Sequence, residues 1–335
     1  IFKIHTISDE ILYIGFAVNN TNLKLSLCLI TISFLVVACT DKNQLQQVDI
    51  QKVEEIEIER IDKSWFTLTA NEQHDRNKRL LNNYGDVYKR YVEDVLQLGG
   101  VSDSTIDLQI QRFVNDESIS EVQLEVQKAY PDLDHLSEEL TDAWSYYHYY
   151  FPDKPLPNHI SVIGGFNTPA ILTENGVGIA LEMFLGKNCV FYDYLQLPVY
   201  LRNRMTADHI APTVMKGWVQ TEYLLEKPNA SLLERIIDQG KVLYCLDAIF
   251  PFMEDSLKIA YTAQQIDWAK THESFVWAYF VDNELLSIDS IELRKYIEDI
   301  TPDVDMSWEY TDNNGVRRDI LVPVTVTFLW PNARI

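Results

Sequence analysis

The chain has 335 residues, a formal net charge of -22 and a hydrophobic content of 47%. Such acidity argues against a nucleic-acid partner, which needs a basic surface, and against close approach of the folded body to anionic lipid. The hydrophobic content is ample for a core, so these bulk properties favour a folded globule over a disordered chain.

A short apolar run near the N-terminus ends on a cysteine: LSLCLITISFLVVAC, Leu25 to Cys39. It has the length of a signal-peptide core and falls short of the roughly 20 residues that span a bilayer. The residues just before Cys39 resemble a bacterial lipobox, although Val36 stands where leucine is commoner. We predict lipid attachment at Cys39; the alternative is a hydrophobic leader with an incidental cysteine.

These features divide the N-terminal region into three predicted parts. Residues 1–22 begin without methionine and are interpreted as a non-native or mis-annotated extension. Residues 23–38 are the predicted lipoprotein signal peptide. Residues 39–54 begin with the hydrophilic TDKNQLQQ and are predicted to form a tether.

Hydrophobic periodicity predicts the elements that follow. Ile56 to Phe66 alternates as a strand does, and helical spacing then dominates from Asn71 to Tyr150. Short strands follow the prolines near residue 155, with Asn175-Gly176 as the predicted two-residue hairpin turn. Helices return from Pro198 to Ile300, and Thr262 with Gln265 has the spacing of a capping box. The pattern predicts a single α+β domain over residues 55–301, mostly helical with a small antiparallel sheet.

Five blocks carry a resemblance to a known family: IEIERIDKSWF, YYFPDKPLP, GIALEMFLGKNCVFYDYLQLPVY, LLERIIDQGKVLYCLDAIFP and YTAQQIDWAKTHESFVWAYF. Their order resembles that of the gliding-motility lipoprotein family GldB of Bacteroidetes, over roughly residues 39–300. The resemblance implies a cell-envelope lipoprotein, held on the periplasmic side of the outer membrane through Cys39. It also implies protein partners in the gliding apparatus. Residues 302–335 depart from the family pattern and are interpreted as an atypical, frameshifted or truncated tail.

The same family is distantly similar to predicted zinc peptidases of the HExxH type, which implies a degenerate zincin-like fold. A zincin needs two histidines one helical turn apart. No two of the seven histidines stand four apart, and Val276 occupies the position of the second ligand after His272-Glu273. We therefore expect no metal, no cofactor and no catalytic activity of this class.

Two acidic residues share helical stripes with apolar neighbours, Glu222 with Trp218, and Asp247 with Tyr244. Together with Lys241 they form a candidate cleft or interaction site. In the structural interpretation, Asp247 caps the following loop and Glu222 pairs with a basic residue such as Arg202, Arg204 or Lys241. In the functional interpretation, Glu222 and Asp247 serve a metal-independent hydrolase. The structural interpretation is favoured.

Two further helices, from Trp144 to Phe151 and from Trp268 to Phe280, carry aromatic residues almost all round. Such helices are usually buried, and the alternative is an exposed binding platform. Cys189 and Cys245 are left as either a disulfide or two free thiols. The sequence thus favours a non-catalytic structural or interaction component of a gliding or secretion machine. A peptide- or glycan-binding module in a degenerate peptidase-like cleft is the first alternative.

Overall fold

The computed structural model describes residues 48, 50–67, 69–224, 229–289, 292, 307–311 and 317–321. Cys39 and the predicted leader lie outside the described residues. The predicted α+β class is confirmed: the described chain is mostly helical around one small sheet.

The first half supplies five helices, which are α1 (Ile61–Ser64), α2 (Ala70–Arg90), α3 (Ile106–Val114), α4 (Glu117–Ala129) and α5 (Asp134–Tyr150). A π-helical turn, Tyr91–Val95, continues α2. The helix is kinked at Gly85, where φ is 45°. The backbone amide of Thr69 donates to Glu72 at 2.9 Å, which fixes the start of α2.

Four strands form the sheet in the order β1-β2-β4-β3, namely β1 (Ile58–Arg60), β2 (Asn158–Val162), β3 (Ala170–Thr173) and β4 (Gly176–Ala180). Only β3 and β4 pair antiparallel, whereas β1 with β2 and β2 with β4 pair parallel. The predicted antiparallel sheet is therefore corrected to a mixed one. Since β1 and β2 are joined through all five helices, local sequence signals give no information on their pairing.

The predicted hairpin exists, but its turn lies one residue earlier. Thr173 pairs with Gly176, so Glu174 and Asn175 form the connection, and Asn175 and Gly176 have no positive φ. Gly176 has a different role: a Cβ atom there would lie 2.5 Å from Cγ1 of Val87. The glycine therefore permits close approach of α2 to β4.

The second half returns to helix, with α6 (Val190–Tyr194), α7 (Val199–Arg202), α8 (Ile210–Tyr223), α9 (Leu232–Ile249), α10 (Asp255–Ile259) and α11 (Ala263–Asp282). The predicted capping box at Thr262 and Gln265 is confirmed by bonds of 2.9 and 3.2 Å. Two more strands, β5 (Ser307–Thr311) and β6 (Arg317–Leu321), pair antiparallel as a separate two-stranded sheet.

Two large hydrophobic clusters form most of the core of the described chain, and a small third one joins Leu232 to Leu285. The larger joins α5, α8 and α9, and Trp144 packs edge-to-face on Trp218 with ring centroids 5.1 Å apart. The smaller joins α1, α2 and α3 to the sheet around Trp65 and Tyr91. Because both clusters include sheet residues, the sheet connects the two halves of the described chain.

The aromatic helix α11 departs from expectation, because it contains no buried residue; Phe275 and Trp277 are exposed. Cys189 and Cys245 are free and half-buried. Among the described residues, no helix combines the length and the apolarity needed to cross a membrane.

Candidate interaction surface

Trp218, the central aromatic of the predicted site, lies in the core. It is buried on α8 against Trp144, so it does not line a cleft. The sequence correctly predicted an apolar face on α8 around Trp218. In the structure, helices α5 and α9 cover that face.

Glu222 lies one turn further along α8 and forms an ion pair with Lys154. Its side chain retains only 14% of its accessible surface. The prediction that a base neutralises Glu222 holds, but the base is none of Arg202, Arg204 and Lys241. Lys154 follows the end of α5, so the pair links two helix ends.

Asp247 on α9 does not face the core: its side chain is 47% exposed and pairs with Lys258 rather than capping the next loop. The buried stripe of α9 contains Leu232, Val242 and Leu246 instead. Apolar residues occur all round this helix, so periodicity alone selected the wrong face. Glu222 and Asp247 are therefore each paired with a separate lysine.

Tyr244 and Lys241 lie on the solvent side of α9. Tyr244 is 65% exposed, and Lys241 forms an exposed pair with Asp238 at 2.8 Å. A Cβ at Gly240 would meet nothing within 4 Å, so helix packing does not require a glycine there. Only Trp218 of the five predicted residues is in the core, and the other four, Glu222, Lys241, Tyr244 and Asp247, lie at or near the surface.

These surface residues adjoin the aromatic end of α5. Tyr223 stacks on Phe151 with centroids 5.0 Å apart, and its hydroxyl shares a 3.1 Å hydrogen bond with Tyr147. Tyr149 packs edge-to-face on Tyr150 at 5.1 Å. We call the exposed members of this group the tyrosine surface: Tyr149, Tyr150, Tyr223 and Tyr244.

Burial and neighbouring groups shift the pKa of two residues of the tyrosine surface, Tyr150 and Tyr223. Burial raises the pKa of Tyr150, and the neighbouring phenols of Tyr149, Tyr146 and Tyr244 raise it further. Burial likewise raises the pKa of Tyr223, with added contributions from Tyr147 and Glu222. The Tyr150 and Tyr223 hydroxyls are therefore neutral near pH 7 and can donate or accept hydrogen bonds. The aromatic helix α5 meets the helices α8 and α9, which carry the predicted cleft residues, at this surface.

Buried acids that the sequence argument missed lie elsewhere, at the carboxyl ends of the parallel strands. Asp62, just after β1, accepts hydrogen bonds from Arg60 at 2.9 Å, Ser161 at 2.5 Å and Gln127 at 3.1 Å. These bonds satisfy a carboxylate that is almost fully removed from water. The sequence does hold one signal for these acids: each follows just after a strand. Because parallel strands end at one edge of a sheet, residues that follow them lie at the same edge.

Glu182, just after β4, is fully buried. One carboxylate oxygen accepts the backbone amides of Gly164 at 2.7 Å and Phe166 at 3.1 Å, and the other oxygen has no partner. Burial raises its pKa to about 7, against the lowering effect of the backbone donors. The carboxylate holds a loop in which Phe166 has a φ of 62°, a strained conformation for a bulky residue.

The described residues contain no group of three or more histidine, cysteine, aspartate or glutamate side chains placed to hold a metal ion. His159, the most buried histidine of the sheet, accepts a hydrogen bond from the Trp144 indole at 2.9 Å.

A family model described as gliding motility protein GldB matches residues 43–306. The chain belongs to the GldB family. The matched range includes the tyrosine surface and both buried acids, whereas β5 and β6 lie beyond it. Comparisons with curated proteins and with solved structures gave no match. Membership identifies the chain as a lipoprotein of the gliding-motility class.

Proposed function

We propose that this GldB protein acts as a non-catalytic component of the gliding or secretion machinery and binds a protein partner through the tyrosine surface. It is held at the cell envelope by lipid on Cys39, on the periplasmic side of the outer membrane. The partner belongs to the same apparatus.

The observation that carries the proposal is the convergence of four exposed tyrosines from three helices. Tyrosine is enriched at interface hot spots because it offers large contact area at a small cost in side-chain entropy. Of these rings, Tyr223 is held by Phe151 and Tyr147, and Tyr147 packs in turn on the buried Trp144. Such a surface is already ordered before a partner arrives, which lowers the cost of binding.

A metal-independent hydrolase that uses Glu222 and Asp247 receives less support. Each carboxylate is engaged by its own lysine, Lys154 or Lys258. No hydrogen bond or shared partner joins the two carboxylates in the described part of the chain. Acid–base work at one bond needs two groups that reach the same substrate atom or its water.

The test is substitution of Tyr244 by Ala in cells that depend on this gene product for gliding. Tyr244 is 65% exposed, so its removal costs little folding stability, whereas loss of a hot spot costs about 2 kcal/mol of binding or more. Gliding and site-specific photo-crosslinking from position 244 are measured. Phe252→Ala, an equally exposed aromatic change outside the tyrosine surface, is the matched control. Normal gliding in a Tyr223→Ala/Tyr244→Ala chain of wild-type abundance rejects the proposal.

A further inference from the structure

A second exposed apolar surface lies on α6, α7 and the turn between them. Within ten residues of chain, Tyr194 is 77% exposed and Val199 is 68% exposed, and Val190 and Leu195 are exposed as well. We call these four residues the α6–α7 patch. Single exposed apolar residues are ordinary, but four from one short segment form a patch of the kind that marks a contact site.

The patch is presented by a fixed turn and not by a frayed end. Tyr192, buried on the opposite side of α6, donates its hydroxyl to the carbonyl of Glu182 at 2.9 Å and accepts the Leu185 amide at 3.0 Å. The Arg202 guanidinium donates to the carbonyls of Leu197 at 2.7 Å and Tyr192 at 3.1 Å. These bonds hold the apolar side chains outward on a rigid support.

The segment is net basic, whereas the chain as a whole is acidic. Residues 186–205 contain Lys187, Arg202 and Arg204 against the single acid Asp193, in a protein of net charge -22. Asp193 is already paired with Arg202. Lys187 is exposed and has no hydrogen bond or ion pair in the part of the chain that the structure describes. A free cation therefore precedes the patch.

Two of the three bases in this segment are already engaged. Arg202 forms the pair with Asp193, and Arg204 has an interaction of its own. Glu125, which lies close enough to affect the Cys189 thiol, is likewise paired, with Lys128 at 2.5 Å. Lys187 is therefore the positive charge that this segment leaves for a partner.

We propose that the α6–α7 patch lies against the anionic headgroup surface of a lipid bilayer, with the apolar side chains in the interface and Lys187 among the headgroup phosphates. The inference rests on the envelope location proposed above. Apolar and aromatic side chains flanked by basic residues are the composition of interfacial membrane contacts. An acidic body attached to lipid would in this way present an apolar patch that carries an unpaired lysine to the membrane.

The test is co-sedimentation of the full chain with vesicles. Every chain carries Cys39→Ala, so no acyl group contributes, and the apolar run before Cys39 contributes equally to all. Vesicles of phosphatidylcholine with phosphatidylglycerol are compared with phosphatidylcholine alone. Tyr194→Ser/Val199→Ser should lower binding to anionic vesicles at least about tenfold, since interfacial binding scales with buried apolar area. Lys187→Gln should lower it about fivefold on anionic vesicles only.

The matched control is Phe252→Ser/Phe275→Ser, a comparably exposed pair outside the patch and the tyrosine surface, which should bind as the parent chain does. As a second measurement, anionic vesicles should slow amide exchange in residues 190–199. Equal binding of the patch variant and the control overturns the proposal, as does binding that ignores the anionic lipid. Failure of wild-type Cys39 to take up a fatty-acid label would instead reject the envelope anchor, so the two failures are distinguishable.

Discussion

At the scale of single residues, Glu182 is the most unusual group in the described chain. It is a fully buried carboxyl that organises the loop after β2 through the amides of Gly164 and Phe166. A Cβ at Gly164 would lie 3.3 Å from its oxygen, so the glycine is needed for this contact. Because protonation changes the charge of the carboxyl that accepts these two amides, the stability of the loop should depend on pH.

The first prediction concerns that coupling. Burial raises the pKa of Glu182 from its ordinary value of 4.5 to about 7, so the folded chain binds the extra proton between these pH values. The unfolding free energy should therefore fall as pH rises from about 4.5 to 7, on the order of 3 kcal/mol from this group. Glu182→Gln keeps an acceptor for both amides and should remove this decline. Urea unfolding from pH 5 to 8 measures it.

Glu139 supplies the internal control, because burial also raises its pKa to about 7 and its decline persists in both chains. Only the difference between wild type and Glu182→Gln is interpreted. Parallel curves across the whole range would show that Glu182 does not titrate in this window.

The second prediction concerns Lys241, whose only described partner is the adjacent Asp238 in an exposed pair. Such pairs contribute about 0–1 kcal/mol, so Lys241→Glu should scarcely move the melting temperature. It should still weaken partner capture and gliding, because the change reverses charge beside Tyr244. Lys270→Glu on α11 is the matched control. Early melting would identify Lys241 as a structural residue, and normal gliding would exclude it from the interface.

At the scale of elements, strong local signals were predictable and long-range pairings were not. Caps at Ser231 and Thr262 specify the starts of α9 and α11 within the chain's own sequence. The parallel pairing of β1 with β2 depends on residues about a hundred positions apart, which no window of sequence reports. The exposed face of α9 was also misassigned, because its apolar residues do not form a single stripe.

The third prediction compares two glycines. Gly176→Ala places a Cβ 2.5 Å from Val87 and should destabilise the fold by about 1–3 kcal/mol through overpacking. Gly240→Ala, on an exposed turn of α9 with nothing within 4 Å, should stabilise it by about 0.5–1 kcal/mol through helix propensity. Denaturant midpoints measure both. Shifts in the same direction would contradict this account of β4 and α9.

At the scale of the whole molecule, the order of sequence blocks predicted the family, and the family match confirms it. The candidate site was only half predictable. The sequence identified exposed and buried aromatics without separating them, since exposure of Tyr244 and burial of Trp218 depend on how α5, α8 and α9 pack together.

The fourth prediction concerns attachment. Cys39→Ala should leave an uncleaved precursor that takes up no fatty-acid analogue, whereas the acylated wild type should fractionate with membranes. Stable attachment needs at least two acyl chains, because one chain binds only marginally. Labelling in growing cells measures this. Equal label on both chains would reject a lipid anchor at Cys39.

The exposure of α11 has a thermodynamic consequence. Phe275, Trp277 and Val281 are already in contact with water in the folded chain. The heat capacity increase on unfolding comes mainly from newly hydrated apolar surface, about 12–15 cal/mol/K per residue in ordinary globular proteins. Because these side chains are already about half exposed, α11 should contribute less to the heat capacity increment than a buried helix of the same length. Melting of α11 should therefore depend less on temperature than melting of the helices that form the core.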